Sequence, residues 1–280
     1  MTGVTFLDRV CAEAIERVAA AERIEPLDAL RDRAWATPSP PAFAAALADG
    51  GIIAEVKRAS PSRGVIAENR DAAMQARAYV DGGAAAVSVL TEPAHFGGSL
   101  DDLAAVAGAV DAPVLRKDFI LTGYQLFEAR AAGAAAALLL VGALDDARLA
   151  ELLDTARDAG IDVLIETHDA EEIARASVVL AGVERDHPWV VGVNARDLTR
   201  LSVDRNRFAA LAGMLPENVV VVAESGVSGP DDVEDYRRVG ADAVLVGEHL
   251  MVADDPMTAT RTLVEAVRRS PAIATLSHPI

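Results

Sequence analysis

Cysteine is almost absent from this chain, which has one thiol, Cys11, in 280 residues. A lone cysteine cannot form an intrachain disulfide, so the sequence excludes a small disulfide-stabilised fold and favours a reducing compartment, the cytoplasm. Long apolar runs are also lacking, because the longest, Ala131 to Leu144, is shorter than the roughly 20 residues of a membrane span. The first 18 residues mix charged with apolar side chains, which is not the pattern of a secretory signal. Neither membrane insertion nor secretion is expected.

Positive charge is scarce as well. Lysine and arginine together number 26 against 43 acidic residues, which gives a net charge of −17. A field of this sign repels polyanions, so nucleic acid and anionic membranes are not expected partners. Any phosphate group must be held by a local arrangement. Hydrophobic residues make up 51 % of the chain, which predicts one large domain, and we expect a monomer or a weak homo-oligomer.

Short aliphatic segments alternate with alanine-rich amphipathic segments along most of the chain. Eight segments have the composition of strands that are buried on both faces: Gly51 to Val56, Ala85 to Leu90, Pro113 to Leu115, Ala135 to Val141, Asp162 to Ile165, Trp189 to Val193, Val219 to Ala223 and Ala243 to Val246. Helix-length segments separate them: Asp71 to Asp81, Leu121 to Ala132, Asp145 to Ala159 and Ser228 to Val239 are examples. Eight such units over about 230 residues predict an α/β fold, the (β/α)8 TIM barrel. A doubly wound sheet is the competing architecture, but the Gly-x-Gly-x-x-Gly turn typical of it is absent.

The first 50 residues precede the first predicted strand and have a helical pattern. Pro38, Pro40 and Pro41 form a rigid connector before a short segment, Phe43 to Ala48. We expect residues 1–50 to form a helical extension that caps one mouth of the barrel. Residues 51–270 would then form the barrel and residues 271–280 a C-terminal tail, since no low-complexity linker marks a second domain.

Polar and charged residues follow most of the predicted strands. In a TIM barrel the active-site residues lie at the carboxyl ends of the strands, which meet at one mouth. Residues two apart lie on the same face of a strand, so Glu55 and Lys57 place an acid and a base on one side. Further groups end the third, fifth, sixth, seventh and eighth strands: Arg116-Lys117-Asp118-Phe119, Glu166-Thr167-His168, Asn194-Ala195-Arg196-Asp197, Glu224-Ser225-Gly226 and Gly247-Glu248.

Opposed charges in a partly dry barrel mouth are suited to acid–base chemistry. Burial and neighbouring charges shift pKa values, so Lys117, Glu166 and Glu224 can donate or accept protons near neutral pH. The alternative is a set of buried ion pairs that stabilise the barrel. Because such residues end five strands, catalysis is favoured over stabilisation alone.

Two glycine-containing pairs indicate a phosphate site. Backbone N–H groups can approach an anion closely where no side chain intervenes. Ser225-Gly226 follows the seventh strand and Gly247-Glu248 follows the eighth, where TIM barrels commonly bind phosphate. The alternative is that these glycines only make tight turns, but their occurrence after adjacent strands favours phosphate.

Motifs for metal binding and for serine hydrolases are missing. The five histidines have no His-x-x-x-His spacing, and no cysteine pair accompanies them. A Gly-x-Ser-x-Gly elbow is also absent. We therefore expect no metal, and we interpret the histidines as solvated or packed among polar groups.

A long motif at the first strand resembles a known family. The segment Ile52-Ile-Ala-Glu55-Val-Lys57-Arg-Ala-Ser60-Pro61-Ser62-Arg-Gly64 is similar to the first-strand signature of indole-3-glycerol-phosphate synthases. The resemblance continues in order, from residue 50 to residue 252, through Leu90-Thr-Glu92, Phe96-Gly-Gly-Ser99, Leu115-Arg-Lys117-Asp118-Phe119, Glu166, Asn194-x-Arg196-Asp197-Leu198, Glu224-Ser225-Gly226 and Val246-Gly247-Glu248. The N-terminal helices also resemble the extension of that family.

The resemblance implies a cofactor-free reaction in tryptophan biosynthesis. The substrate would be an anthranilate sugar phosphate, 1-(2-carboxyphenylamino)-1-deoxyribulose 5-phosphate. Ring closure, decarboxylation and dehydration would convert it into indole-3-glycerol phosphate, carbon dioxide and water.

The resemblance also implies roles for individual residues. Lys117 would protonate the sugar carbonyl during ring closure, and Glu166 would transfer the protons of dehydration with help from Lys57. Which lysine is the principal acid stays open. Glu55 and Glu224 would organise the lysines, and Asn194 and Arg196 would contact the hydroxyls and carboxylate of the substrate. Ser60 would shape the first loop, and Phe96 and Phe119 would bind the aromatic part. The phosphate would be held by Ser225, Gly226, Gly247 and Glu248.

Three features depart from the family pattern. His95 stands beside Phe96, where a second aromatic residue is common, so we expect one wall of the anthranilate pocket to be more polar. Ala195 replaces a polar residue, but its side chain should point away from those of its two neighbours. The connection from Val178 to Trp189 is longer and more charged than usual. It enters at the amino-terminal side of the sixth strand, so we expect it to spare the chemistry.

Two other functions are compatible with a phosphate-binding barrel. Phosphoribosylanthranilate isomerase acts on a related compound, but it is expected to use a cysteine and an aspartate, and Cys11 precedes the barrel. A non-catalytic phosphate-binding barrel is the second alternative. Retention of Lys57, Lys117 and Glu166 argues against it, although a duplicate with another substrate preference would retain them too.

Overall fold

A computed structural model describes residues 5–61, 63–66, 70–196 and 202–270. The expected tail, residues 271–280, and the motif residues Ser62, Asp197 and Leu198 lie outside the described residues. None of the described helices is both long enough and apolar enough to cross a membrane.

Eight parallel strands close into one barrel. In chain order they are β1 (Gly51–Val56), β2 (Ala86–Leu90), β3 (Val114–Lys117), β4 (Ala136–Leu140), β5 (Asp162–Thr167), β6 (Trp189–Asn194), β7 (Val219–Glu224) and β8 (Ala243–Val246). Each strand pairs with its neighbours in the sequence, and β1 closes the barrel against β8, with Gly51 opposite Ala243. The predicted (β/α)8 barrel is confirmed.

Four strands extend further than the sequence indicates. We expected the polar residues of β3, β5, β6 and β7 to follow the strands, but Lys117, Glu166, Asn194 and Glu224 lie within them. Parallel pairing continues through these positions, with Leu90 opposite Lys117 and Asn194 opposite Glu224. Their side chains are therefore held by paired backbone and not by loops.

Helices surround the barrel and precede it. The helices before β1 are α1 (Phe6–Ile24), α2 (Leu27–Ala36) and α3 (Phe43–Leu47). The described helices after β1 are α4 (Ala72–Asp81), α5 (Pro93–Phe96), α6 (Leu100–Ala107), α7 (Gly123–Ala131), α8 (Asp146–Ala159), α9 (Ala170–Ala181), α10 (Asn206–Leu211), α11 (Pro230–Arg238), α12 (Glu248–Met251) and α13 (Pro256–Arg269). Side-chain caps begin several of them, as when Ser99 accepts a hydrogen bond from the backbone N–H of Asp102.

Apolar side chains form two packed layers. One lies between the strands and the surrounding helices and includes Ile52, Leu126 and Leu263. The other fills the inside of the barrel, where alternate residues of the strands point inward. Because the strands are covered on both sides, they are mostly apolar before their carboxyl ends, as the sequence indicates.

The N-terminal helices contact both ends of the barrel, whereas we expected a cap over one mouth. Phe43 and Leu47 of α3 are fully buried in the inner apolar cluster, and the N–H of Ala44 donates to Asp162, the first residue of β5. At the opposite end, Arg17 of α1 donates to Oδ1 of Asp118 at 3.3 Å, just beyond β3. A short helix can therefore close the amino-terminal mouth while a longer one borders the carboxyl-terminal mouth.

The charged connection before β6 packs at the amino-terminal end, as the sequence predicts. Its first residues belong to α9, and the remainder returns to Asp162. Nε2 of His187 lies 2.7 Å from Oδ1 of Asp162, and Arg185 pairs with the same carboxylate. The guanidinium of Arg185 also stacks on the ring of Trp189, 4.2 Å from its centroid. The connection is remote from the carboxyl ends of the strands.

Candidate active site

The carboxyl ends of the strands surround a cavity of about 480 Å³. A cavity of this volume can hold a small metabolite. The sequence-predicted site residues on its lining are Glu55, Lys57, Phe96, Lys117, Phe119, Glu166, Asn194, Arg196, Glu224, Ser225, Gly226, Gly247 and Glu248. Ser60 lies outside the described lining, in a small antiparallel hairpin of Ala59–Ser60 with Gly64–Val65.

A layer of four ionisable side chains crosses the barrel at the floor of this cavity. They come from the odd-numbered strands, as Glu55 from β1, Lys117 from β3, Glu166 from β5 and Glu224 from β7. Alternate strands supply each layer of a TIM barrel, and this layer is charged where those below are apolar. The ammonium of Lys117 donates to Oε2 of Glu166 at 2.9 Å and to Oε2 of Glu224 at 2.7 Å.

Burial and mutual attraction set the charges of this layer. Burial alone would lower the pKa of Lys117, but the charges of Glu166, Glu224 and Glu55 outweigh it and raise that pKa. Burial would raise the pKa of Glu166, but Lys117 lowers it well below its usual range. Burial and the nearby charge of Glu166 raise the pKa of Glu224 to about 8. Lys117 is therefore a cation and Glu166 an anion at neutral pH.

The second lysine of the mouth has its own carboxylate partner. Lys57 follows β1 directly, and its ammonium donates to Oε1 of Glu55 at 2.7 Å. Lys57 and Lys117 are the only lysines in the chain, whereas arginine occurs 24 times. Both primary amines of the side chains therefore face one cavity, each beside a different carboxylate.

The loop after β7 has an uncommon backbone conformation. Ser225 and Gly226 have φ angles of 71° and 84°, in the left-handed region that few residues other than glycine adopt. The hydroxyl of Tyr236 donates to the carbonyl of Ser225 at 3.0 Å and holds this conformation. Strained backbone of this kind concentrates at ligand sites, and both residues line the cavity.

One side of the cavity is apolar. The rings of Phe96 and Phe119 lie with their centroids 6.5 Å apart and their planes tilted by 45°. Leu138 and Leu140 of β4 continue this wall. The cavity therefore has an aromatic side, a layer of acids and bases, and a glycine-containing side formed by the loops after β7 and β8.

Known proteins with similar sequences lead to one family. The family model described as indole-3-glycerol phosphate synthase matches residues 7–263. Over 268 residues the chain is 51 % identical to the indole-3-glycerol phosphate synthase of Mycolicibacterium smegmatis and 49 % identical to that of Mycobacterium ulcerans, with 95 % of this chain and 96 % of each relative covered. The chain belongs to the indole-3-glycerol phosphate synthase family.

Solved structures of other enzymes share the fold of this synthase-family chain. Thiamine phosphate pyrophosphorylase from Pyrococcus furiosus matches with a TM-score of 0.58 and 16 % identity, over 81 % of this chain and 98 % of that one. The 3-hexulose-6-phosphate synthase from Salmonella typhimurium matches with a TM-score of 0.57 and 17 % identity, over 79 % and 99 %. At these identities the likeness concerns the barrel fold alone.

Gly247 leaves the space that the Lys57–Glu55 pair occupies. A methyl group at this position would lie 2.3 Å from Oε1 of Glu55 and 3.0 Å from Nζ of Lys57. We expect Gly247→Ala to displace the pair and to lower kcat/KM of the synthase reaction about 10- to 100-fold. Steady-state kinetics measure this effect.

Gly213→Ala is the matched control, because a methyl group there would meet no atom within 4 Å. It should leave kcat/KM unchanged. Equal kcat/KM values for Gly247→Ala and Gly213→Ala would contradict the expectation that the position of the Lys57–Glu55 pair matters for the reaction.

His95 does not form a wall of the cavity, contrary to the sequence-based expectation. It belongs to α5 and points to α1, where Nε2 lies 2.9 Å from Oε2 of Glu13 and the ring packs edge-on against Phe6. The reason is that Glu92 caps α5 by accepting three backbone N–H bonds, which turns His95 outward and Phe96 inward. His95 therefore adds no polar group to the wall of the cavity.

His168 is the residue that sequence reasoning undervalued. We interpreted it as solvated or packed among polar groups, and it is packed among them, with its Nε2 3.3 Å from Oε1 of Glu166. The signal was present, because His168 and Glu166 have the same two-residue spacing as Lys57 and Glu55. The cavity lining also includes polar side chains that the sequence did not single out: Arg63, Glu92, Asp118, Arg205 and Ser228.

One group of described residues has donor atoms close enough to hold a metal ion. Glu13, Glu92 and His95 each offer an atom within 4.8 Å of the others. Both oxygens of Glu92 already accept backbone N–H groups of α5, and Arg17 lies 3.6 Å from its Oε1. Glu92 therefore serves as a helix cap and contact of α1, and the group is not assigned to a metal.

Proposed function

We propose that this cavity converts 1-(2-carboxyphenylamino)-1-deoxyribulose 5-phosphate into indole-3-glycerol phosphate, carbon dioxide and water. The placement of Lys117 between Glu166 and Glu224, in a cavity that also has an aromatic wall, supports this proposal most strongly. Ring closure needs an acid beside a carbonyl oxygen, and dehydration needs a base beside it. The cavity has both within one layer of side chains.

In ring closure, Lys117 acts as the general acid. The ring carbon that bears the carboxylate attacks the sugar carbonyl, a carbon–carbon bond forms, and the carbonyl oxygen takes a proton from the ammonium of Lys117. Since the flanking carboxylates raise the pKa of Lys117, it is protonated when the substrate binds. Loss of carbon dioxide then leaves its electron pair in the ring and restores aromaticity.

In dehydration, Glu166 and Lys57 share the proton transfers. The new hydroxyl leaves with a proton as water, while the adjacent carbon next to the nitrogen loses a proton. Glu166 is the base, because Lys117 keeps it ionised, and Lys57 supplies a second ammonium at the mouth. Glu224 and Glu55 hold the two lysines in place.

Polar neighbours orient these groups and the substrate. Asn194 donates to Oε1 of Glu166 at 2.9 Å and accepts from the backbone N–H of Arg196 at 2.9 Å. In the proposal, Asn194 and Arg196 contact the hydroxyls and carboxylate of the substrate, and Phe96 and Phe119 contact its aromatic ring.

The phosphate is proposed to bind at the loops after β7 and β8. Main-chain amides of Ser225, Gly226, Gly247 and Glu248 would hold it, where the overall charge of −17 offers no attraction. Ser60 would shape the first loop from its hairpin. Arg63 of that hairpin pairs with Glu248 at 2.6 Å, which joins the first loop to the proposed phosphate side.

Cellular setting and assembly also belong to the proposal. The single cysteine supports the cytoplasm. We further propose residues 1–50 as a helical extension, residues 51–270 as the barrel, and a monomer or weak homo-oligomer without a nucleic-acid partner.

Three compounds test the proposed function. With the full substrate, we expect the fluorescence of the indole product to rise. With the same compound lacking phosphate, kcat/KM should fall at least about 100-fold, because remote binding energy positions the reacting atoms. With phosphoribosylanthranilate, we expect no conversion.

Two outcomes would contradict the proposal. Isomerisation of phosphoribosylanthranilate would favour the isomerase, although Cys11 lies in α1, outside the described lining of the cavity. Binding of the full substrate without turnover would favour the non-catalytic barrel.

A further inference from the structure

His168 contacts the oxygen of Glu166 that Lys117 does not. Its Nε2 lies 3.3 Å from Oε1, to which Asn194 also donates, while Lys117 donates to Oε2. His168 is largely buried and is not part of the described cavity lining. It therefore acts on the chemistry only through Glu166.

The other side of His168 is held by Glu172, in the first turn of α9. Oε2 of Glu172 accepts from the backbone N–H of His168 at 2.7 Å and lies 3.3 Å from the ring Nδ1. The second carboxylate oxygen lies against Gly142, where a methyl group would come within 2.5 Å of it. The carboxylate is thus lodged between the end of β5 and the turn Val141–Ala143.

We propose that His168 and Glu172 form a positioning pair for Glu166, in which Glu172 holds the imidazole of His168 as a cation and this cation keeps Glu166 ionised and in one orientation. The inference rests on the proposed role of Glu166 in dehydration. A histidine held by one carboxylate while it acts on another group is a recurring arrangement in enzymes, because the second contact fixes the ring and its charge.

The charges around the pair alternate in sign. The groups that face His168 are Glu166 on β5, the strand that His168 follows, and Glu172 on α9. Burial alone would lower the pKa of His168, but the two carboxylates beside it outweigh burial and raise that pKa to about 10. Glu166 faces Lys117 on its other oxygen, and Lys117 faces Glu224. Positive and negative groups therefore alternate from Lys117 on β3, through Glu166 and His168, to Glu172 on α9.

The cation matters most after Lys117 has released its proton. At that stage the ammonium no longer opposes protonation of Glu166, and burial raises the pKa of its carboxyl. The charge of His168 persists, so Glu166 stays available as the base for dehydration. Its fixed orientation also keeps the free lone pairs directed at the substrate.

His168→Gln is the principal test, since glutamine retains a donor but carries no charge. We expect kcat to fall about 10-fold or more, with KM within about two-fold of the wild-type value. Loss of a cation raises the pKa of Glu166, so the acidic limb of the kcat profile should move to higher pH by about one unit. A merely structural role would not move this limb.

Two further variants change Glu172, the second member of the pair, or its position. Glu172→Gln removes the carboxylate charge, and Gly142→Ala displaces that carboxylate, so both should lower kcat and move the limb in the same direction as His168→Gln. Gly213→Ala, with no atom near its added methyl group, should leave kcat and the pH profile unchanged.

Nitrogen NMR of the wild-type protein tests the charge of His168 directly. In protein labelled with 15N-histidine, both ring nitrogens of His168 should carry protons at pH 8, the signal being assigned by its loss in His168→Gln. A neutral ring at pH 8 would overturn the proposal.

The kinetic outcomes separate this inference from the proposed function. A wild-type kcat and pH profile for His168→Gln, together with an inactive Glu166→Gln, would overturn the positioning pair alone. Wild-type turnover of Glu166→Gln would overturn the proposed role of Glu166 and the positioning pair with it.

Discussion

Lys117→Met is expected to lower the turnover number about 10³-fold, because the variant lacks the acid that protonates the sugar carbonyl. Methionine has a similar length and keeps the apolar part of the side chain, so the barrel interior should stay filled. KM should change much less than kcat, since the aromatic and phosphate contacts are retained. Steady-state fluorescence of the indole product measures both constants.

The removed charge has a second consequence that needs its own control. Without Lys117, the carboxyl groups of Glu166 and Glu224 lose their shared ammonium in the buried layer, which destabilises the fold. The double variant Lys117→Met/Glu224→Gln also replaces one of these two carboxyl groups. We expect it to recover thermal stability without recovering turnover, whereas recovered turnover would assign the loss to the unpaired carboxyl groups.

The two lysines can be compared directly because the chain has no others. Lys57→Met also removes an ammonium from the mouth and serves as the matched variant. In the proposed mechanism it slows dehydration, so its kcat should exceed that of Lys117→Met. The reverse order would exchange the roles of Lys57 and Lys117.

Glu166→Gln is expected to lower kcat about 10²- to 10³-fold and to stop the reaction at a different stage. The amide can still accept a hydrogen bond from Lys117, so the acid of ring closure stays in place. It cannot serve as a base for dehydration. In single-turnover experiments, carbon dioxide should therefore form before the indole, and a hydroxylated indoline should accumulate.

Asn194→Ala is the comparison variant for Glu166→Gln. It removes a hydrogen bond to Oε1 of Glu166 but leaves the carboxylate. It should slow indole formation less than Glu166→Gln does. Simultaneous release of carbon dioxide and indole by Glu166→Gln would contradict the assigned stage.

The barrel was predictable because its two signals are local. Strands that are covered on both sides are mostly apolar, and a glycine shortly after a helix can mark an end in the left-handed conformation, as at Gly133 and Gly160. The strand ends were less predictable. Lys117 and Glu166 interrupt apolar runs and resemble loop residues in sequence, but parallel pairing extends through them.

The charged layer could be placed at one mouth from sequence, but its pairings could not. Spacing by two residues joins Glu55 to Lys57, whereas the contacts of Lys117 with Glu166 and Glu224 depend on the barrel closing. The family resemblance supplied the roles that spacing alone left open.

The contacts of the N-terminal extension were not readable from sequence. Arg17 lies on an amphipathic helix, and nothing near it in the chain indicates that it reaches two buried carboxylates, Glu92 and Asp118. His95 was misplaced for a related reason: its direction is set by the helix cap at Glu92. The contacts of His168 could not be predicted because one of its two partners, Glu172, lies on the following helix.

Single turnover with both products followed gives the most direct test of the acid–base layer. Carbon dioxide and indole fluorescence would be measured together for the wild-type protein, Lys117→Met and Glu166→Gln, each mixed in excess with 1-(2-carboxyphenylamino)-1-deoxyribulose 5-phosphate. The mechanism predicts both products from the wild type, neither from Lys117→Met on the same timescale, and carbon dioxide ahead of indole from Glu166→Gln. Wild-type release of both products by Lys117→Met would contradict the central role of Lys117.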